Sequence, residues 1–89
     1  MDELFDAVKL ALRIVSVDFD AEIMDIIAAA KADLTSAGVI YNPLAPLIRR
    51  AVVIYAKAHF GFSEDSEKYG ESYAAIKSQL ALIEAGVDI

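Results

Sequence analysis

The chain has 89 residues, 57% of them apolar, with a mean hydropathy of +0.46. That is one short domain, able to bury about 60–65% of its unfolded surface, so association is a natural route to further burial. It has no cysteine, which excludes a disulfide framework and thiolate metal chemistry, and its net charge of −6 is the opposite of a DNA reader's basic footprint.

A first helix is expected from Asp2 as N-cap to about Ile14, with Leu4, Val8, Ala11 and Val15 on one face and Glu3, Asp6, Lys9 and Arg13 on the wet side. The acidic start Met1-Asp2-Glu3 is unlike a signal peptide, and the expectation is a cytosolic product. Val15-Ser16-Val17-Asp18 breaks the period, and Asp18 or Asp20 restarts it. The second helix then runs to about Ala37, with Ile23, Ile27, Ala30 and Leu34 in register and Gly38 closing it. Its acids Asp20, Glu22 and Asp25 crowd the N-terminal end, where the helix dipole favours them. Val39-Ile40-Tyr41 has no partner strand and reads as a packed loop leading to an Asn42-Pro43 turn.

The third helix, Pro46 to Phe60, is the element around which the others are arranged. Pro46 suits a first helical position, and Gly61 suits a helix stop. From Ala51 to Ala56 the helix carries no charge, so it requires cover on several sides, from this chain or from a neighbouring copy. Ser63 is read as the N-cap of a fourth helix whose Tyr69, Tyr73, Ile76, Leu80 and Ile83 form a heptad seam ending at Gly86. Gly70 inside that helix costs about 1 kcal/mol against Ala; close approach by another backbone is one reason to keep it. The expected fold is all-α, a small bundle of four main helices with a long C-terminal helix, in a single domain over residues 1–89.

Charge is segregated along the chain. Residues 1–33 carry eight acids and three bases, residues 34–62 no acid and three bases, and residues 63–89 six acids and two bases. Complementary segments suit folding of one chain or head-to-tail contact between copies.

Little here supports catalysis, a cofactor or a metal. His59 is the single histidine, and it reads as a residue near a helix C-terminus, where a cation is welcome. Ser63 is a cap with no base beside it in sequence, the four glycines form no phosphate loop, and acids such as Asp18/Asp20 and Glu64/Asp65 sit at helix starts. No run is long enough to span a membrane: the longest uncharged stretch, Leu34 to Ile48, is interrupted by Gly38, Pro43 and Pro46. Arg49-Arg50 stands out, because arginine is enriched at interface hot spots and acid-rich segments flank it. Tyr69 and Tyr73 suit core packing first and partner contact second.

Three stretches carry a family resemblance. Val8 to Ile14, with Leu12-Arg13-Ile14, is followed by acidic Asp18-Phe19-Asp20 and the helix Ile23 to Leu34. Pro46 opens a helix with Ala51 five residues on and a tyrosine–alanine pair at Tyr55-Ala56. Lys57-Ala58-His59-Phe60-Gly61 leads through an acidic turn to Tyr73–Leu82. In these the chain resembles the small helical head–tail connector proteins of tailed bacteriophages, known in prophages as DNA-packaging proteins. It departs from them in the short link from Gly38 to Pro46, where members often carry insertions.

The resemblance implies a homo-oligomeric ring of a dozen or so copies under the portal protein, within the virion at the head–tail junction and in the host cytoplasm during assembly. Such a ring extends the DNA channel without sequence-specific binding and docks tail-side completion proteins. Arg49, Arg50 and Lys57 would then meet Asp20, Glu22 and Asp25 of an adjacent subunit, with Tyr69 and Tyr73 as further contact candidates. The competing expectation is a small cytosolic regulatory protein that dimerises through the Tyr69–Ile83 seam.

Overall fold

The computed structural model describes residues 4–60 and 65–84. It is all-α: helices α1 (Phe5–Ala11), α2 (Asp20–Ser36), α3 (Pro46–His59) and α4 (Ser66–Glu84), a 3-10 turn at Val17–Phe19, and no strand among the described residues. The expected four-helix bundle with a long last helix is what forms. The Asp2 and Ser63 caps and the Gly61 and Gly86 stops lie outside the described residues.

The first helix is shorter than its periodicity predicts. It ends at Ala11 because the N–H of Arg13 bonds the carbonyl of Leu10 at 3.0 Å and that of Ile14 bonds Lys9 at 3.1 Å. This is the paired capping pattern usually built on glycine. Arg13 takes the left-handed place, at φ 59°, which is uncommon for a side chain with a Cβ. The chain turns away there, so Val15 stands 96% exposed instead of joining the apolar face with Leu4 and Val8.

The helical period restarts at Asp20, one of the two positions expected. A 3-10 turn precedes it, capped by Ser16, whose Oγ accepts the N–H of Asp18 at 3.0 Å. The 3-10 turn then runs straight into α2. Ile23, Ile27, Ala30 and Leu34 are all buried, as their spacing predicts. At the far end Gly38, at φ 91°, closes the helix with the same paired bonds, Gly38 to Thr35 and Val39 to Leu34, both 3.0 Å. Val39 is buried, so the link is the packed loop expected, and Asn42 caps its turn by accepting the Leu44 N–H at 3.0 Å.

α3 is covered by this chain itself. Its buried Ile48, Ala51, Val52, Ile54 and Ala56 meet α1, α2 and α4. α2 and α4 each run antiparallel to α3. Phe19, just before α2, packs edge-on against Phe60 at the end of α3, with ring centroids 5.6 Å apart. Tyr55 meets Tyr73 edge-on at 5.0 Å, and the Lys57 ammonium lies 5.4 Å from the Tyr69 ring centre, so α4 returns along α3. The side chains buried in this core are all apolar or tyrosine among the described residues, so the hydrophobic effect supplies the cohesion, roughly 1.5–3 kcal/mol for each large side chain fully removed from water.

A Cβ placed on Gly70 of α4 meets nothing within 4 Å, so among the described residues no backbone approaches it. The seam is also spent inside the chain: Tyr73 and Leu80 are buried, Tyr69 and Ile76 pack half-buried on the core, and Ile83 alone of the five is exposed. A seam that faces α3 is not free to face a second copy.

Candidate interaction surfaces

Pro46 starts α3 without needing an N–H partner, and this sets the next two turns in place. Arg49 and Arg50 fall on the side of α3 turned away from the core and are exposed. With Ala7 of α1, Leu44, Pro46 and Val53 they line an open hollow of about 450 Å³ that combines apolar side chains with two cations. Among the described residues neither arginine has an acidic partner within ion-pair distance.

The acids expected to meet them divide into two groups. Asp20 is already engaged, because its Oδ1 accepts a hydrogen bond from Lys9 Nζ at 2.7 Å in the same chain. Glu22 and Asp25, one turn apart on α2, are exposed. Lys57 is half-buried, with its charge against the Tyr69 ring, an arrangement worth about 0.5–1 kcal/mol at exposed sites. Arg49, Arg50, Glu22 and Asp25 are therefore the candidates with charge directed outward.

Of the two tyrosines, Tyr69 is half-buried and Tyr73 belongs to the core, only 5% exposed. The Tyr73 hydroxyl donates to Asp33 Oδ2 at 2.6 Å, and Lys77 Nζ donates to the same oxygen at 3.1 Å. The hydroxyl's hydrogen bond is the main reason the Asp33 carboxyl lies below its ordinary pKa; burial opposes it and Lys77 adds to it. Burial foremost, then the Asp33 bond, pushes the Tyr73 hydroxyl above its usual range. His59 stacks on Tyr55, with ring centroids 4.1 Å apart and planes at 29°. Among the described residues no three His, Asp or Glu side chains gather as a metal site would require.

What sequence reasoning missed is the turn after α1. Val15 and Val17 are 96% and 74% exposed, followed by exposed Asp18. The periodicity placed Val15 on a helix face, and nothing short of the Arg13 backbone conformation reveals otherwise. In all, nine large apolar side chains are exposed among the described residues. Single exposed apolar residues are ordinary on any protein; Val15 and Val17 stand out because they lie two apart on one turn and are the most and third most exposed of the nine. No described helix is long and apolar enough to cross a membrane.

Searches of curated proteins and of solved structures each return no match. The sequence profile described as "Phage connector protein" matches residues 4–87, nearly the full length. A compact helical protomer with outward charge, bare apolar side chains and a profile match of that extent is a member of the phage connector protein family.

Proposed function

We propose that this chain is the repeating subunit of a head–tail connector ring that docks under the portal, extends the DNA channel and joins capsid to tail. Its role is structural, without enzymatic activity. The observation that carries the reading is the protomer's unsatisfied surface: a self-sufficient core beneath nine exposed large apolar side chains. Family membership supplies the setting. Opposite charges on separate elements, Arg49 and Arg50 on α3 and Glu22 and Asp25 on α2, suit a heterologous contact, which repeats until rotation closes a ring. Net charge −6 suits a channel wall that repels phosphate and lets DNA slide, whereas a basic lining would hold it. The partners are then other copies, the portal and tail-side completion proteins, at the head–tail junction of the virion, after assembly in the host cytoplasm.

The test is native mass across a concentration series, with and without portal, alongside Arg49→Glu/Arg50→Glu. A ring-sized species in the wild type, weakened at least tenfold in the double variant with helicity unchanged, is expected. A wild type that stops at two copies, or remains monomeric even with portal, rules the ring out. A double variant that assembles at the wild-type concentration rules out the arginine contact alone.

A further inference from the structure

We infer that the junction between copies is directional and has two named halves: the Val15–Asp18 turn of one copy seats in the Leu44–Arg49–Arg50 hollow of the next. The inference rests on the ring reading and adds to it the identity of the two faces.

The turn is built as a projection. The paired bonds from Arg13 to Leu10 and from Ile14 to Lys9 fix its start, and the bond from the Asp18 N–H to Ser16 Oγ fixes its end. Val15 and Val17 are thus bare apolar side chains on an ordered backbone, so little conformational entropy is lost on docking.

The hollow is built as its complement. It is lined by the apolar side chains of Ala7, Leu44, Pro46 and Val53, with Leu44 itself 70% exposed, together with the two arginines. The charges match as well. Asp18 directly follows the valines, and Glu22 and Asp25 lie beyond on the first turns of α2; the stretch from Leu34 to Phe62 that supplies most of the hollow contains no acid.

Position makes the contact intermolecular. The turn lies beside the start of α2, where Phe19 meets Phe60 at the end of α3. The hollow lies along the first two turns of α3, toward the other end of that antiparallel pair. Val15 and Val17 are exposed and do not line the hollow of their own chain. Two different patches on one molecule make a head-to-tail contact, and each copy keeps one free half for the next.

Cross-linking tests the pairing, because the chain has no native cysteine and any disulfide reports an introduced pair. Val15→Cys and Leu44→Cys chains are mixed in equal amounts with portal under mild oxidation, and the double variant is oxidised separately. The expected result is a mixed disulfide forming at least tenfold faster than either self-pairing, and a ladder of covalent oligomers from the double variant. Self-pairing at an equal rate, or a missing ladder while native mass still reports a ring, overturns the junction and leaves the connector reading intact. A missing ladder with a monomer even beside portal overturns both. Val15→Asp gives an independent reading: the site is exposed, so helicity is unchanged, and assembly requires at least tenfold more protein. Assembly at the wild-type concentration overturns the projection's role.

Discussion

Asp33 is the residue on which the tie between α2 and α4 depends, and its charge state determines how long that tie lasts in acid. Its folded-state pKa is depressed, so the stabilisation is fully present above the ordinary value of 3.8 and fades as pH falls through the lower folded value. Tyr73 behaves in the opposite sense: its folded-state pKa is raised, so stability is fully present below the ordinary value of 10.0 and declines above it. The Asp33 side chain is 38% exposed, so solvent screening limits the tie to about 1 kcal/mol. Tyr73→Phe should therefore cost about 1 kcal/mol at neutral pH and flatten both limbs of the stability profile. Urea unfolding from acid to alkaline pH measures this; a variant with an unchanged midpoint and profile would show that the short bond contributes nothing. The heptad spacing located Tyr73 in the sequence but gave no hint of Asp33, 40 residues earlier. Periodicity reports the face a residue occupies on its own helix, and says nothing about which polar atom waits across the gap.

Helix ends explain most of the difference between expectation and structure. Gly38 signalled the end of α2 because glycine tolerates positive φ, and that boundary was legible in the sequence. Arg13 ends α1 in the same geometry without the residue that announces it, so periodicity alone carries the helix three residues too far, to Ile14, and puts Val15 on its apolar face. The two sites predict opposite outcomes for opposite substitutions. Arg13→Gly should stabilise the fold by roughly 0.5–1 kcal/mol by removing the Cβ penalty, and Gly38→Ala should destabilise it by about the same amount. Gly70 supplies a third case, mid-helix and with open space around it, where Ala should add about 0.5–1 kcal/mol. Thermal unfolding of the three variants reads all these signs. A stabilising Gly38→Ala would mean that the positive φ is not maintained, and a neutral or destabilising Gly70→Ala would mean that a backbone absent from the isolated chain approaches there.

At the scale of the whole molecule, assembly combines two forces that salt separates. The apolar contact of Val15 and Val17 is indifferent to ionic strength or strengthened by it, whereas attraction between the two arginines and the acids of α2 is screened. Raising salt from about 0.1 M to about 1 M shortens the Debye length from about 10 Å to about 3 Å. The wild type should then need roughly tenfold more protein to form the large species while its helicity stays constant, since the protomer's core is apolar and the Lys9–Asp20 and Lys77–Asp33 ion pairs are partly exposed. The variants should diverge. Arg49→Glu/Arg50→Glu, which sets acid against acid, should recover part of its lost assembly in high salt. Val15→Asp, which places a charge against the apolar lining of Ala7, Leu44, Pro46 and Val53, should recover little. Sedimentation at a series of salt concentrations distinguishes these patterns. If the wild type assembles equally well throughout, the charges steer nothing and the apolar contact alone holds the copies together; if high salt rescues Val15→Asp as fully as the arginine variant, the valine turn is not seated in the hollow.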